Sequence, residues 1–276
     1  MKLSQETYQF LRDFIARQTG IELGPDRQYL VESRLSPLLQ EQQCPSLAEL
    51  CVALQREHDL SVATQSEISK KVIHALSTHE TSFFRDPDLF AALRSSILPN
   101  VIATNSTGRL RIWSAAASSG QEAYSLAILM SEMGIYPPPQ IIATDISALV
   151  LDIAAKGHYT DYELLRGVDA PVLRQKYFID QKGGATVKAE IKQSIQFQCH
   201  DLRDTTIDFS PLDLILCRNV LIYFEEATRL QVLQRLRDQL RPGGFMILGS
   251  AEAIWVEIDG LSRISNNNFT YYMRNV

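Results

Sequence analysis

Hydrophobic positions in this chain follow two different spacings, and the spacing changes part-way along it. In the first part, apolar residues recur every three or four positions, as in Tyr8, Leu11 and Phe14, which predicts amphipathic helices. In the second part, short apolar runs at 141–143 and 212–216 alternate with helical stretches. Such runs are typical of strands buried on both faces of a parallel sheet. The pattern therefore predicts an all-α region followed by an α/β domain.

Three divisions of the chain follow from this change. Residues 1–77 are predicted to form a helical N-terminal domain without a catalytic cluster, which docks on a partner. Residues 78–108 are predicted to form a linker with a polar loop and a helix, and residues 109–276 the α/β domain. Within that domain, glycines followed by alternating apolar residues predict a small antiparallel β appendage at 158–200. Residues 269–273 predict a final edge strand.

Capping signals predict two helix starts. Asp86 precedes Pro87, a pair that favours the N-cap and first helical positions, so a helix is predicted at 88–98. Ser119 and Glu122 have the spacing of a capping box at the start of a second helix.

The composition narrows the class of protein. The 276 residues carry a formal net charge of −5, with 45% hydrophobic and 21% charged residues, typical of soluble globular proteins. The negative charge argues against general nucleic-acid binding, and no apolar run approaches the roughly 20 residues of a membrane span. The four cysteines form no CxxC pair and the histidines lack ligand spacing. We therefore expect a cytoplasmic protein without membrane insertion, disulfides or a metal site.

The stretch RLRIWSAAASSGQEAYSLAILM at 109–130 carries the first functional signal. A buried strand, a turn of small residues ending at Gly120 and a mostly apolar helix follow one another. This is the opening unit of nucleotide-binding α/β domains. Asp145 ends the next apolar run, where a carboxylate binds ribose hydroxyls. Because the turn lacks GxGxxG, the sequence predicts an adenosine ligand other than a dinucleotide.

Further motifs carry a family resemblance. They are TSFFR at 81–85, WSAAASSG at 113–120, Asp145, and CRNVLIYF at 217–224. Together they resemble the CheR-type chemotaxis receptor methyltransferases, and the resemblance covers nearly the whole chain. It implies a Rossmann-like methyltransferase sheet and a protein-glutamate O-methyltransferase activity. The implied cofactor is S-adenosylmethionine (SAM), with S-adenosylhomocysteine as its product.

The resemblance also implies the residues of the site. Cofactor contacts are expected from His79, Thr81, Arg85, Glu122, Asp145, Asp201, Leu202, Arg218 and Asn219. Arg85 and Tyr223 are expected beside the methyl-transfer point as the catalytic residues. His79 and Asp201 stand where the family usually has asparagine.

Each of these side chains also has a purely structural interpretation. Asp145 is able to cap a helix, and Glu122 to complete the capping box. Arg85 and Arg218 are able to form ordinary salt bridges. Tyr223 is able to pack as a core tyrosine with a satisfied hydroxyl.

The implied reaction methylates glutamates in the cytoplasmic domain of a methyl-accepting chemotaxis receptor. A glutamate side chain is already ionised at neutral pH, so its attack on a methyl sulfonium needs no general base. Positioning is then the main task of the enzyme. Two other functions stay open: a SAM-dependent methyltransferase of another protein or small carboxylate, and a non-catalytic SAM-binding signalling module.

Receptor docking has two predicted routes. The helix at 26–42 carries Arg27 and Arg34, which share a face, against three acidic residues. The appendage offers a second route, the addition of a tethering peptide as a strand. We expect direct docking that depends on Arg34.

Overall fold

The computed structural model of the chain describes residues 3–55, 66–105, 107–168, 171–252, 257–266 and 269–275. It confirms the predicted fold class, with an all-α N-terminal region, a mostly parallel sheet and a small antiparallel sheet. None of the helices in these residues is long and apolar enough to cross a bilayer.

The N-terminal region packs helices around one apolar core. Its described helices are α1 (Gln5–Thr19), α2 (Gln28–Glu41), α3 (Leu47–Gln55) and α4 (Glu67–Leu76). Tyr8, Leu11 and Phe14 are almost completely buried in that core, as their helical spacing predicts. α1 ends at Gly20, whose φ of 75° is the left-handed conformation that glycine adopts at helix C-termini.

A helical connector joins this bundle to the sheet. It consists of α5 (Pro87–Ala92), a π-helical turn (Leu93–Ile97) and α6 (Leu98–Thr104). Asp86 and Pro87 occupy the predicted N-cap and first helical positions, but Asp86 has a φ of 65° and its side chain makes no capping hydrogen bond. Its carboxylate binds Arg218 instead. The helical path continues past the predicted end because Pro99 lies in the first turn of α6, where a missing N–H is tolerated.

Two sheets follow. The strands are β1 (Arg111–Ala115), β2 (Gln140–Asp145), β3 (His158–Thr160), β4 (Phe178–Gln181), β5 (Gly184–Val187), β6 (Ile195–Cys199), β7 (Leu212–Cys217), β8 (Leu240–Leu248), β9 (Leu261–Asn266) and β10 (Phe269–Arg274). The remaining helices are α7 (Gln121–Glu132), α8 (Ala148–Lys156), α9 (Asp161–Leu165), α10 (Pro171–Tyr177), α11 (Ala189–Lys192) and α12 (Glu226–Gln239). The main sheet has the order β6-β2-β1-β7-β8-β10-β9. Its first five strands are parallel, and its last two pairings are antiparallel.

The main sheet carries an apolar core on each face. Successive residues of a strand point to opposite faces. Leu214 and Leu216 of β7 accordingly pack in the cluster that includes α7, while Ile215 and Cys217 pack in the cluster that includes α12. Burial on both sides explains why residues 214–217 of β7 form a continuous apolar run.

The small sheet, with the order β3-β5-β4, is the predicted antiparallel appendage. Two strand placements were predicted wrongly. Ile195 and Phe197, assigned to the appendage, lie in β6, which pairs in parallel with β2 at the edge of the main sheet. An edge strand of either sheet has alternating, half-buried residues, so this sequence pattern does not distinguish the two sheets. Residues 269–273, predicted as an edge, lie in β10 between β8 and β9.

Candidate functional site

A cleft opens where β1, β2 and β7 end, at the edge of the sheet where α/β folds bind ligands. All ten residues that the sequence predicted line it: His79, Thr81, Arg85, Glu122, Asp145, Asp201, Leu202, Arg218, Asn219 and Tyr223. The helical bundle also contributes Thr19 and Ile21, at and just after the end of α1. The sequence had given no sign of this contribution.

Strained backbone conformations concentrate around the cleft. Positive φ angles occur at the non-glycine residues Phe84 (48°), Asp86 (65°), Ala116 (61°), Ser118 (51°) and Asn219 (60°). Such conformations cost about 1–3 kcal/mol each and cluster at functional sites. Gly120 is required in the same turn, since its φ is 91° and a Cβ there would lie 2.9 Å from that of Ala154.

Asp145 connects the turns that follow β1 and β2. Its side chain is 8% exposed; Oδ2 accepts from the Ser118 N–H at 2.9 Å and Oδ1 from the Ser147 N–H at 3.0 Å. Burial raises the pKa of Asp145, and the backbone N–H groups lower it. The cap of α8 is the Ser147 side chain, which accepts from Val150. A carboxylate has about four lone-pair sites, so acceptor capacity is left for a ligand.

Arg218 and Glu122 form a buried ion pair in the cleft. The Arg218 side chain is 2% exposed, and its Nη1 donates to Glu122 Oε2 at 2.7 Å while Nη2 donates to Asp86. Burial lowers the pKa of Arg218, but the charges and hydrogen bonds of the two carboxylates outweigh burial and raise it. Glu122 Oε1 also accepts from Ser114 Oγ at 2.8 Å. The predicted capping box with Ser119 is therefore wrong, because α7 is capped by Gly120 and the Glu122 side chain faces the sheet.

Arg85 and Tyr223 line the cleft with polar groups that the described residues leave largely unpaired. Arg85 donates to the backbone oxygen of Glu80 at 2.9 Å and forms no ion pair with any residue that the structure describes. Tyr223 ends a 3₁₀ turn (Leu221–Tyr223) and is half-buried. Across the described ranges its hydroxyl has no hydrogen-bond partner. Tyr223 is therefore not a core tyrosine with a satisfied hydroxyl.

His79 is held against the helical bundle. Its Nε2 lies 3.0 Å from the backbone oxygen of His74, and the two imidazoles stack with centroids 4.6 Å apart. Burial lowers the pKa of both histidines. His74 Nδ1 in turn lies 3.0 Å from Ser147 Oγ, so the stacked pair connects α4 to the turn that follows β2.

Asp201 is also turned towards the bundle. Its carboxylate pairs with Arg203 at 2.7 Å, and the same guanidinium donates to the backbone oxygens of Ala16 (3.3 Å) and Arg17 (2.9 Å) at the end of α1. Positive charge is favourable at a helix C-terminus. Leu202 follows with its side chain buried.

Family comparisons agree with this architecture. The CheR methyltransferase SAM-binding domain matches residues 79–269, and the CheR methyltransferase all-alpha domain matches residues 6–67. The chain belongs to the CheR methyltransferase family.

Curated members of the family resemble the chain over most of its length. Chemotaxis protein methyltransferase 1 of Pseudomonas aeruginosa is 37% identical over 92% of both chains. The chemotaxis protein methyltransferase of Vibrio parahaemolyticus is 37% identical over 91% of this chain and 90% of its own. Chemotaxis protein methyltransferase 1 of Vibrio cholerae is 38% identical with the same two coverages.

The cleft fits the SAM cofactor of this family. Three residues that line it each have a buried polar atom without a partner among the described residues: Ser77 Oγ, His200 Nδ1 and Arg218 Nε. A buried polar group without a partner is costly, so these atoms indicate a polar ligand. Acidic side chains around the cleft suit the positive sulfonium of SAM. The SAM-binding domain of the CheR methyltransferases, matched at residues 79–269, supplies most of the residues that line this cleft.

Sequence reasoning missed Glu252. It is 3% exposed, and its carboxylate accepts from the backbone N–H of Asn219 at 2.7 Å. The one available signal was an acidic residue inside an otherwise apolar stretch after β8.

Proposed function

We propose that this methyltransferase moves the methyl group of SAM to glutamate side chains of chemotaxis receptors and forms γ-glutamyl methyl esters. Relatives at 37–38% identity are chemotaxis protein methyltransferases. The observation that carries the chemistry is that Arg85, without an ion pair among the described residues, and Tyr223, whose hydroxyl has no partner there, line the same cleft. A cytoplasmic location follows from the proposed substrate, the cytoplasmic domain of the receptor.

The proposed reaction is a direct displacement. SAM supplies a methyl group activated by its sulfonium. The substrate carboxylate oxygen forms a bond to the methyl carbon while the sulfur–methyl bond breaks, and the electron pair stays on sulfur. No proton moves, since a glutamate side chain is ionised above a pKa of about 4.3. The protein therefore acts by orienting groups and excluding water.

Each catalytic side chain has a task in this scheme. Arg85 attracts and holds the carboxylate, because no acidic residue in the described chain neutralises it. Tyr223 donates to the substrate oxygen that does not attack. The Arg218–Glu122 pair is too buried to contact a protein substrate, so its task is to support the cofactor.

Asp145 and Asn219 are proposed as direct cofactor contacts. Asp145 accepts ribose hydroxyls with the lone pairs that its bonds to backbone N–H groups leave open. Asn219, in its left-handed conformation, presents its amide at the end of β7. His79 and Asp201 take a different part, since their side chains are bound to the bundle and to Arg203. They position the walls of the cleft.

The docking expectation changes at Arg34. Its Nη1 donates to the backbone oxygens of Leu76 (3.0 Å) and Ser77 (2.9 Å) at the end of α4, so Arg34→Ala would disturb the bundle. Arg27, Arg34 and Tyr223 line one groove beside the cofactor cleft. Arg27, which forms no ion pair among the described residues, is the better probe. Arg27→Ala should slow receptor methylation at low salt and have less effect at high salt.

Transfer of labelled methyl from SAM to a receptor cytoplasmic domain tests the proposal. We expect a base-labile ester, and at least tenfold slower transfer by Arg85→Ala and Tyr223→Phe at nearly unchanged melting temperature. Arg94→Ala, on the helical connector away from the cleft, is the matched arginine control. A base-stable product, or full turnover by both site variants, would refute the proposed chemistry.

A further inference from the structure

The Glu252 carboxylate accepts hydrogen bonds from the backbone N–H groups of the turn that follows β7. Oε2 accepts from the N–H groups of Asn219 (2.7 Å) and Gly249 (2.8 Å). Oε1 accepts from those of Val220 (2.8 Å) and Leu221 (2.7 Å). The carboxylate thus satisfies three consecutive N–H groups of one turn and a fourth from the end of β8.

We infer that Glu252 is a positioning residue for methyl transfer, a role that rests on the proposed function. The turn it binds begins with Asn219, whose φ of 60° is unfavourable for residues other than glycine. Hydrogen bonds from charged acceptors contribute more than neutral ones, so Glu252 offsets this strain.

The same turn sets the position of Tyr223. The Leu221 N–H that Glu252 binds opens the 3₁₀ turn Leu221–Tyr223. The Tyr223 hydroxyl has no partner within the described part of the chain, so the backbone and ring packing alone fix its place. Glu252 itself does not line the cofactor cleft. It therefore acts through Asn219 and Tyr223 and touches neither cofactor nor substrate.

Both oxygens must be acceptors for this arrangement. A glutamine has one acceptor oxygen and one NH₂ group, and in either orientation the NH₂ would face two backbone N–H donors. Gly249 leaves the space for the carboxylate, since a Cβ there would lie 2.5 Å from Glu252 Oε2 and 3.0 Å from the Asn219 nitrogen. Gly249→Ala thus displaces the carboxylate without removing its charge.

Asp213 provides a matched control at the opposite end of β7. It is 3% exposed and accepts from the Arg111 N–H (2.8 Å), Asn105 Nδ2 (2.9 Å) and Arg241 Nε (2.6 Å). Like Glu252, Asp213 is a buried carboxylate that accepts several hydrogen bonds, but none of its partners lines the cleft.

The experiment measures S-adenosylhomocysteine affinity by calorimetry, kcat and KM for methyl transfer, and melting temperature for full-length Glu252→Gln, Gly249→Ala and Asp213→Asn. We expect Glu252→Gln and Gly249→Ala to weaken S-adenosylhomocysteine binding about tenfold and to lower kcat further. Asp213→Asn should lower the melting temperature but keep affinity and kcat within twofold.

Affinity and kcat within twofold of the unmodified protein in a folded Glu252→Gln variant would overturn the inference. An equal loss of affinity in Asp213→Asn would also overturn it, because the effect would then be general destabilisation. If Glu252→Gln does not fold, Gly249→Ala decides by the same two criteria. Absence of receptor methylation by the unmodified protein, with affinity still lost in Glu252→Gln, would count against the proposed substrate and not against Glu252.

Discussion

The appendage and the helical bundle both hold the cofactor cleft, but with different kinds of contact. On the appendage side, Phe83 packs edge-on against Tyr159 (4.9 Å) and Phe178 (5.5 Å), and the Tyr159 hydroxyl donates to the Ser119 oxygen at 2.6 Å. On the bundle side, the Arg203 guanidinium binds carbonyls at the end of α1. The appendage side, here the apolar wall, has one exposed ion pair, Glu80–Arg166, beside its buried aromatic contacts. The bundle side, here the polar wall, is held by polar contacts that are partly exposed.

The difference indicates which wall is easier to move. Close-packed aromatic contacts resist displacement, whereas partly exposed ionic contacts are weakened by salt and by competition from water. We therefore expect salt and pH to displace the bundle side more than the appendage side, which keeps its buried aromatic contacts when the Glu80–Arg166 pair weakens. The sequence predicted that the bundle docks on a partner and left the appendage as an alternative docking route, yet each of them contacts the cleft or the loops that form it.

The largest effect should come from the polar wall. Arg203→Ala removes the bonds to α1 and leaves Asp201, whose side chain is 12% exposed, without its cation. Loss of a charge-assisted contact of this type costs about 1.5–3 kcal/mol, so urea unfolding should show a loss of about 2 kcal/mol. S-adenosylhomocysteine binding should weaken at the same time, because Thr19 at the end of α1 lines the cleft.

Arg203→Lys serves as the control for charge. Lysine keeps the positive charge but lacks the forked donors that reach Asp201 and α1 together, so it should recover only part of the loss. Unchanged affinity in Arg203→Ala, despite lower stability, would show that the bundle is not a functional wall of the cleft.

Local and periodic features made much of this fold predictable. The strand, small-residue turn and helix around Gly120, and Asp145 at the next strand end, depend on residues close in sequence. The partners of Glu122 and Asp201 depend on tertiary neighbours. Glu122 has the spacing of a capping box with Ser119, yet it binds Arg218 from a distant strand end.

Glu252 and β9 were unpredictable for related reasons. A single acidic residue belongs to no periodic pattern in the sequence. Its role depends on the tertiary structure, because β8 places it next to the turn after β7. β9 (Leu261–Asn266) alternates weakly, so β10 looked like the last strand of the sheet. Edge strands have only one neighbour to satisfy, and their sequences are correspondingly permissive.

A smaller effect is expected at the apolar wall, where the chain offers a matched tyrosine pair. Tyr159 and Tyr124 are both completely buried, and their hydroxyls donate to the oxygens of Ser119 (2.6 Å) and Ala154 (2.7 Å). Each Tyr→Phe change should cost about 1 kcal/mol of stability. Tyr159→Phe alone should weaken S-adenosylhomocysteine binding, by about threefold to tenfold, because Ser119 belongs to the cofactor turn. Equal affinities for the two variants would mean that the appendage does not position that turn.

The smallest effect should be a pH dependence confined to the polar wall, at the stacked His74–His79 pair. Burial lowers the pKa of His79, the bond to the His74 oxygen partly offsets this, and Arg34 lowers it further. Burial and His79 lower the pKa of His74, against the opposing charge of Asp145. A histidine with a lowered folded-state pKa stabilises the protein fully above its unfolded pKa of about 6.5. That contribution is lost as the pH falls through the lower folded value.

Acidification below about pH 6.5 should therefore loosen the bundle side of the cleft first. His79→Asn replaces the imidazole by a polar side chain that does not titrate, so it should flatten the acid limb of both stability and S-adenosylhomocysteine affinity. His158→Asn, at an exposed position of the appendage, is the control and should leave that limb unchanged. Melting temperature and calorimetric affinity from pH 7.5 to 5 in steps of about half a unit provide the comparison. If His79→Asn follows the unmodified protein throughout, the stacked pair does not make the polar wall sensitive to pH.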